Sequence, residues 1–126
     1  MSDPFFLSLD EVLQIHARSL AEHGGIEGIR DAGLIDSALA SAKNAFYYGQ
    51  GDLFEVAGAY AFHLAESQAF LDGNKRTAVA SALIFLVRNG AYAQPPKWEL
   101  YLAMIEAAEK RLTKTELAAL FRRAAS

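Results

Sequence analysis

The chain has no cysteine, which excludes both a disulfide framework and a thiolate metal site. It also has no excess of positive charge: 12 Lys and Arg against 15 Asp and Glu give a formal charge of -3. Coating a nucleic acid rests on Lys and Arg neutralising phosphates, so direct nucleic-acid binding is not expected. Small anionic ligands remain open. The longest apolar run, Ala78 to Val87 interrupted only by Ser81, is about half the ~20 residues needed to span a bilayer, and no membrane association is expected. The opening Met1-Ser2-Asp3-Pro4 lacks the basic and apolar regions of a signal peptide, so a cytoplasmic location is expected. No fixed-period repeat or low-complexity tract divides the chain, and Pro95-Pro96 is too short for a linker. At 126 residues, one domain over 1-126 is expected, long enough to bury roughly 65 to 70% of its unfolded surface.

What is present is helical patterning. Ser8 followed by Glu11 has the form of a capping box, and Leu9, Val12, Leu13, Ala17 and Leu20 then recur at helical spacing until Gly24-Gly25. Asp31 can cap a second helix whose apolar side holds Leu34, Ala38, Leu39, Ala42 and Phe46, with a loop from Tyr47 to Gly51. Asp52 with Glu55 starts a third helix that ends near Ser67. From Asn74 good helix formers run to Arg88, and Asn89-Gly90 supplies a left-handed stop. Pro95 and Pro96 suit the first turn of a fifth helix with Trp98, Tyr101, Leu102 and Ile105 on one side. Thr113 with Glu116 caps a sixth, whose Arg122 and Arg123 complement its dipole. Strand-like alternation is missing throughout. The expected class is therefore all-α, a compact bundle of about six helices around a central apolar helix over 74-89.

The chemistry is concentrated between residues 68 and 76. If Gly73 and Asn74 form the turn that opens the fourth helix, the free N–H groups of its first turn and its dipole attract an anion before any side chain acts. Gly73 lets a ligand approach the backbone, and Lys75 and Arg76 add charge and donors. Asp72 would repel a phosphate unless a divalent cation lay between them, and Mg²⁺ is commonly held by one or two carboxylates plus substrate phosphates. The same residues also read as a tight turn with a helix cap and a solvated Lys-Arg face. By themselves they leave both readings open.

The segment Phe70-Leu71-Asp72-Gly73-Asn74-Lys75-Arg76-Thr77-Ala78 resembles the signature loop of the Fic/Doc family, whose usual form is His-x-Phe-x-Asp/Glu-Gly/Ala-Asn-x-Arg at the start of a core helix. Gly24-Gly25, the stretch from Gly28 to Leu34, Asp52 to Glu55, and Phe85-Leu86 with Asn89-Gly90 resemble the flanking pattern of its Doc-like toxins. Together these cover about residues 10 to 90. The resemblance implies a helical bundle in which Asp72 holds Mg²⁺, Gly73, Asn74, Lys75 and Arg76 hold the phosphates of ATP, and Phe70 anchors the loop in the core. Typical Fic proteins carry a second Arg three residues after the first and transfer AMP to a protein hydroxyl. Here that position is Val79, and Lys75 stands where the typical loop has Gly. Both features place the chain with the Doc branch, for which the resemblance implies phosphoryl transfer to a Ser or Thr of a translation protein, elongation factor Tu by analogy. It also implies an antitoxin partner whose disordered tail folds into a groove of the toxin.

Gln68 departs from this pattern, because the catalytic His of the family stands at its position. A neutral amide cannot take the proton of a target hydroxyl, and loss of a general base typically costs on the order of 10² to 10⁴ in rate. The catalytic positions implied are thus Gln68, Asp72 and Lys75, with the base missing. Three readings stay open: a selected or engineered inactivating change, a natural nucleotide- or antitoxin-binding pseudoenzyme, or another base. His63 lies five residues upstream and points about 140° away from position 68 along a continued helix, so a packed or surface role is expected. Glu66 is read as a surface residue, His16 and His23 as solvated, and Arg30-Asp31 as a local pair. Tyr47-Tyr48 and Trp98-Tyr101 are read as core or core-edge aromatics.

Overall fold

A computed structural model describes residues 3-49 and 52-125, and these form six helices. They are α1 (Leu9–His23), α2 (Ala32–Tyr47), α3 (Leu53–Glu66), α4 (Asn74–Arg88), α5 (Lys97–Ala108) and α6 (Lys114–Arg123). Among the described residues, extended pairing is limited to two isolated antiparallel bridges, Ile29 with Phe70 and Ala93 with Ala125. No helix among them is long and apolar enough to cross a membrane.

Local signals set most of the helix starts. Ser8 and Glu11 close a reciprocal capping box, as do Thr113 and Glu116, and Asp31 and Asp52 each accept a backbone N–H of the first turn they cap. Two starts and stops differ from the sequence reading. Tyr47 is the last residue of α2 rather than the first of a loop, whose Gln50 and Gly51 lie outside the described residues. Pro96 is the N-cap of α5, which begins at Lys97.

Helix α4 lies among α1, α3 and α5, and α3 packs against α2, α4, α5 and α6. Both α3 and α4 carry small buried residues, Ala57, Ala61 and Ala65 on one and Ala78, Ser81 and Ala82 on the other, which suits close packing of neighbouring helices. The larger core side chains, Tyr60, Leu64, Phe85, Leu86, Leu117 and Phe121, fill the space around that pair. The α4 ends are held alike. Asn89 receives the Phe5 N–H at 2.7 Å and donates to the Phe5 carbonyl at 3.1 Å, while Asn74 does the same to Phe70 at 3.0 and 2.9 Å.

Three faces correct the sequence reading. On α1, His16 and Ser19 are buried and Ala17 is exposed, so the face turned inward is rotated from the expected one. On α5, Trp98, Tyr101 and Leu102 are 68, 67 and 54% exposed, because α3 and α4 cover only its opposite side. Tyr47 and Tyr48 are exposed too. Arg122 and Arg123 do more than face a dipole: they reach Asp52 and Glu99, each at 2.8 Å, and tie α6 to the starts of α3 and α5.

Candidate active site

Gly73 is the N-cap of α4 and sits at φ 77°, a left-handed conformation that glycine adopts without penalty. No side chain caps this end of the helix, so its first-turn N–H groups are available to a ligand. They open on a cleft of about 570 Å³ between α4 and α5. Asp72, Gly73, Asn74, Lys75 and Arg76 line one end of it, and Val79, Leu83, Leu100, Tyr101 and Met104 continue it as an apolar wall. Lys97 and His23 complete the rim.

The Asp72 carboxylate is held on both oxygens. One accepts the Ile26 N–H at 3.1 Å and the other the Gly73 N–H at 2.8 Å. These two bonds, Ile26 first, hold its pKa below the ordinary carboxylate range, with smaller help from the charges of Arg76 and His16 and against the opposing effect of desolvation. Asp72 is therefore ionised at neutral pH. The Ile26 bond needs glycine next door: a Cβ on Gly25, which has φ 130°, would stand 2.8 Å from that carboxylate oxygen. Among the described residues no group of three His, Asp or Glu side chains converges. A divalent cation here would take one protein carboxylate and draw its other ligands from water and substrate, which fits Mg²⁺.

The cationic residues divide by what they touch. Lys75 is exposed and has no ion-pair or hydrogen-bond partner among the described residues, so its ammonium is free for a ligand. Arg76 is already engaged, donating from Nε to Ser19 Oγ at 3.2 Å and from a terminal nitrogen to the Gly24 carbonyl at 3.0 Å. It spans from α4 to the end of α1 while still facing the cleft. Both polar atoms of the Asn74 side chain are taken by Phe70, which leaves its backbone N–H as the group to meet an anion. Phe70 is 2% exposed and anchors the loop as expected.

Gln68 is set apart. It is outside the residues that line the Asp72 cleft and holds φ 55°, in the left-handed region. Its side-chain amide donates to the Ala65 carbonyl at 3.3 Å, and its own carbonyl accepts from the Arg30 guanidinium. That contact corrects the expected Arg30-Asp31 pair: Asp31 caps α2 through the Gly33 N–H, and Arg30 turns to the loop. The backbone from Gly28 to Asp31 runs against the same loop, with the Arg30 and Asp31 N–H groups on the Ala69 carbonyl at 2.7 and 3.1 Å and the Leu71 N–H on the Gly28 carbonyl at 3.0 Å.

His63 lies in a different cleft, of about 520 Å³, with Glu55, Lys114 and Tyr48. Burial, and then the charge of Lys114, push its pKa down, and Glu66 at 4.0 Å opposes this. It does not face Asp72. Glu66 itself pairs with Lys110 at 3.7 Å. His23 is exposed as expected, but it faces the Asp72 cleft. His16 overturns the expectation of a solvated residue: it is 6% exposed, stacks on Phe70 with centroids 3.7 Å apart, and meets the Asp72 carbonyl at 2.8 Å. The one sequence signal for it is the i, i+3, i+4 set of His16, Ser19 and Leu20 ahead of Gly24-Gly25, a single face of α1.

Comparison with known proteins bears on the family of the chain. The sequence model of the Fic/DOC family matches residues 6–86. The chain is 36% identical over 85 residues to the protein named Protein kinase doc of Escherichia phage P1, covering 67% of this chain and 68% of that protein. It is 42% identical over 88 residues to the protein named Toxin Doc of Mycolicibacterium smegmatis, covering 68% of this chain and 65% of that protein. The matched segments thus span about two thirds of both relatives. With the family model matching most of its length and both of these relatives named Doc, the chain belongs to the Fic/DOC family, among its Doc-like members.

Proposed function

We propose that this chain is a toxin of a toxin-antitoxin pair whose site binds Mg–ATP and is built for phosphoryl transfer to a Ser or Thr hydroxyl of a translation protein. The observation that carries this reading is the placing of an ionised Asp72 beside Lys75, which has no partner among the described residues, at the open N-terminus of α4. Bound there, Mg²⁺ would neutralise charge on the transferring phosphoryl group. Asp72 would hold the cation side, and Lys75 together with the backbone N–H groups of the first turn from Asn74 onward would hold the phosphates, with Gly73 letting them approach the backbone. Arg76 adds positive charge while bracing the loop against α1. The apolar wall of Val79, Leu83 and Leu100 gives the rest of the nucleotide a surface to pack on.

Kinase activity is preferred over AMP transfer because one relative is named a protein kinase and because Val79 stands where the AMP-transferring pattern has its second Arg. Elongation factor Tu is the target implied by the resemblance. An antitoxin whose tail folds into a groove is implied in the same way, and the exposed Trp98, Tyr101 and Leu102 beside the cleft support an apolar partner on α5.

Gln68 favours a second reading, a pseudoenzyme that binds nucleotide or antitoxin with little turnover. The two readings part on Gln68→His. The left-handed φ at this position is one that His enters more readily than most side chains, so the substitution should leave the loop unstrained. In the kinase reading, Gln68→His with γ-labelled ATP labels its protein target and arrests growth, at a rate roughly 10² to 10⁴ above the parent chain. Label from α-labelled ATP would replace the kinase by an AMP transferase. An inert Gln68→His chain that still binds Mg–ATP would establish the pseudoenzyme.

A further inference from the structure

We infer that His16 is a positioning residue for the Mg–ATP site: from α1 it locks the Asp72-Gly73 peptide in the orientation that the site requires. The inference rests on the reading of Asp72 as the carboxylate on the cation side.

The geometry is specific. His16 Nε2 lies 2.8 Å from the Asp72 backbone oxygen, and a carbonyl only accepts, so Nε2 must carry the proton. The ring lies nearly parallel to Phe70, with a 10° interplanar angle and 3.7 Å between centroids, so its plane is fixed by a residue that is itself buried. The ring edge also reaches the turn, since a Cβ built on Gly73 would lie 3.7 Å from His16 Cδ2. One imidazole therefore contacts two residues of the loop, Phe70 and Asp72, and lies beside the open face of Gly73.

The consequence follows from where that carbonyl sits. The Asp72 C=O and the Gly73 N–H belong to the same peptide unit and point in opposite directions. A glycine on one side of a peptide makes its rotation inexpensive, and left unconstrained this unit could turn its oxygen toward the anion site and its N–H away. By binding the oxygen on the α1 side, His16 keeps the Gly73 N–H on the side of the Asp72 carboxylate, 2.8 Å from its Oδ1. The same bond fixes the residue from which that carboxylate projects. A buried histidine is well suited to the task because it combines a flat apolar face for Phe70 with a single directed donor. Fixing loop and carboxylate before the ligand arrives is preorganisation, which lets binding energy go to the ligand rather than to ordering the loop.

The test uses the full chain and begins without ligand. Long-range proton–nitrogen NMR at pH 8 should show a proton on His16 Nε2; a ring protonated on Nδ1 alone would overturn the inference even if no variant folds. His16→Phe keeps a ring for Phe70 and removes the donor, so its Tm should stay within a few degrees of the parent while amide exchange of Gly73 speeds up at least tenfold. Affinity for Mg–ATP should fall about tenfold, and His16→Gln, which restores a donor near the Nε2 position, should recover part of both. Unchanged exchange and affinity in His16→Phe would overturn the inference. Failure of the parent chain to bind Mg–ATP would refute the functional reading instead, while the exchange data would still decide whether His16 holds the loop.

Discussion

The side-chain amide of Asn74 closes on both polar groups of Phe70, accepting its N–H at 3.0 Å and donating to its carbonyl at 2.9 Å. The residue that starts α4 therefore holds the residue that plugs the loop into the core. Its amide is spent on structure, and what it offers a phosphate is backbone.

Asn74→Ala should consequently act on stability first. It leaves a buried N–H and a buried carbonyl of Phe70 unpaired, each costing ~1 to 3 kcal/mol, for a total of about 3 kcal/mol. Denaturant unfolding should show a lower midpoint with an unchanged slope. A loss below about 0.5 kcal/mol would mean that the loop is held by other contacts.

Lys75 and Arg76 are adjacent in sequence and should behave differently. Lys75→Ala removes a side chain with no partner among the described residues, so stability should move by no more than about 0.5 kcal/mol while Mg–ATP affinity falls tenfold or more. Arg76→Ala breaks the bonds to Ser19 and Gly24 and should lower stability by about 1 kcal/mol as well as affinity. Arg76→Lys should not restore the parent chain, because one ammonium cannot reproduce a guanidinium bound through two of its nitrogens. Calorimetric titration alongside thermal unfolding separates the two effects.

Gly25→Ala probes the support of Asp72. The new methyl would stand 2.8 Å from both Asp72 Oδ2 and Leu20 Cδ2, on a backbone already at φ 130°. The loop must shift, and the Ile26 N–H should lose its carboxylate. The Asp72 pKa should then rise toward the ordinary carboxylate range, since that bond is the largest cause of its depression. Carboxylate titration followed by NMR reads this directly, and an unmoved Asp72 pKa would show that the Ile26 bond survives.

Tyr60 gives stability an alkaline limit. Burial pushes its phenol up to about 12, against 10 for an exposed tyrosine, while its hydroxyl accepts the Leu7 N–H at 2.9 Å. Because the folded pKa is the higher one, the contribution is complete below pH 10 and is lost as pH rises from 10 through about 12. The full gap corresponds to roughly 3 kcal/mol. At pH 8, Tyr60→Phe should be less stable than the parent by about 1 to 2 kcal/mol, having left the Leu7 N–H unpaired. That difference should shrink across the alkaline range, as measured by denaturant unfolding at a series of pH values.

The sequence by itself determined the features that close over a few residues. The boxes at Ser8 and Thr113, the Asp31 and Asp52 caps, the stop at Gly90 and the turn at Gly73 all involve groups within one helical turn, so composition and spacing sufficed. The 68-76 loop was legible for the same reason, and its resemblance to a known signature supplied the roles. Tertiary structure decided what lies across the loop. His16 meets Asp72 from 56 residues away and Arg30 meets Gln68 from 38, and although the sequence sets His16 on one face with Ser19 and Leu20, it does not say what that face or Arg30 meets. The outward face of α5 belongs to the same class. Helical periodicity puts Trp98 and Tyr101 on a face, but only the placement of α3 and α4 on the other side leaves that face uncovered. A face is a property of one helix, whereas burial is a property of two, and a single helix cannot specify its neighbour.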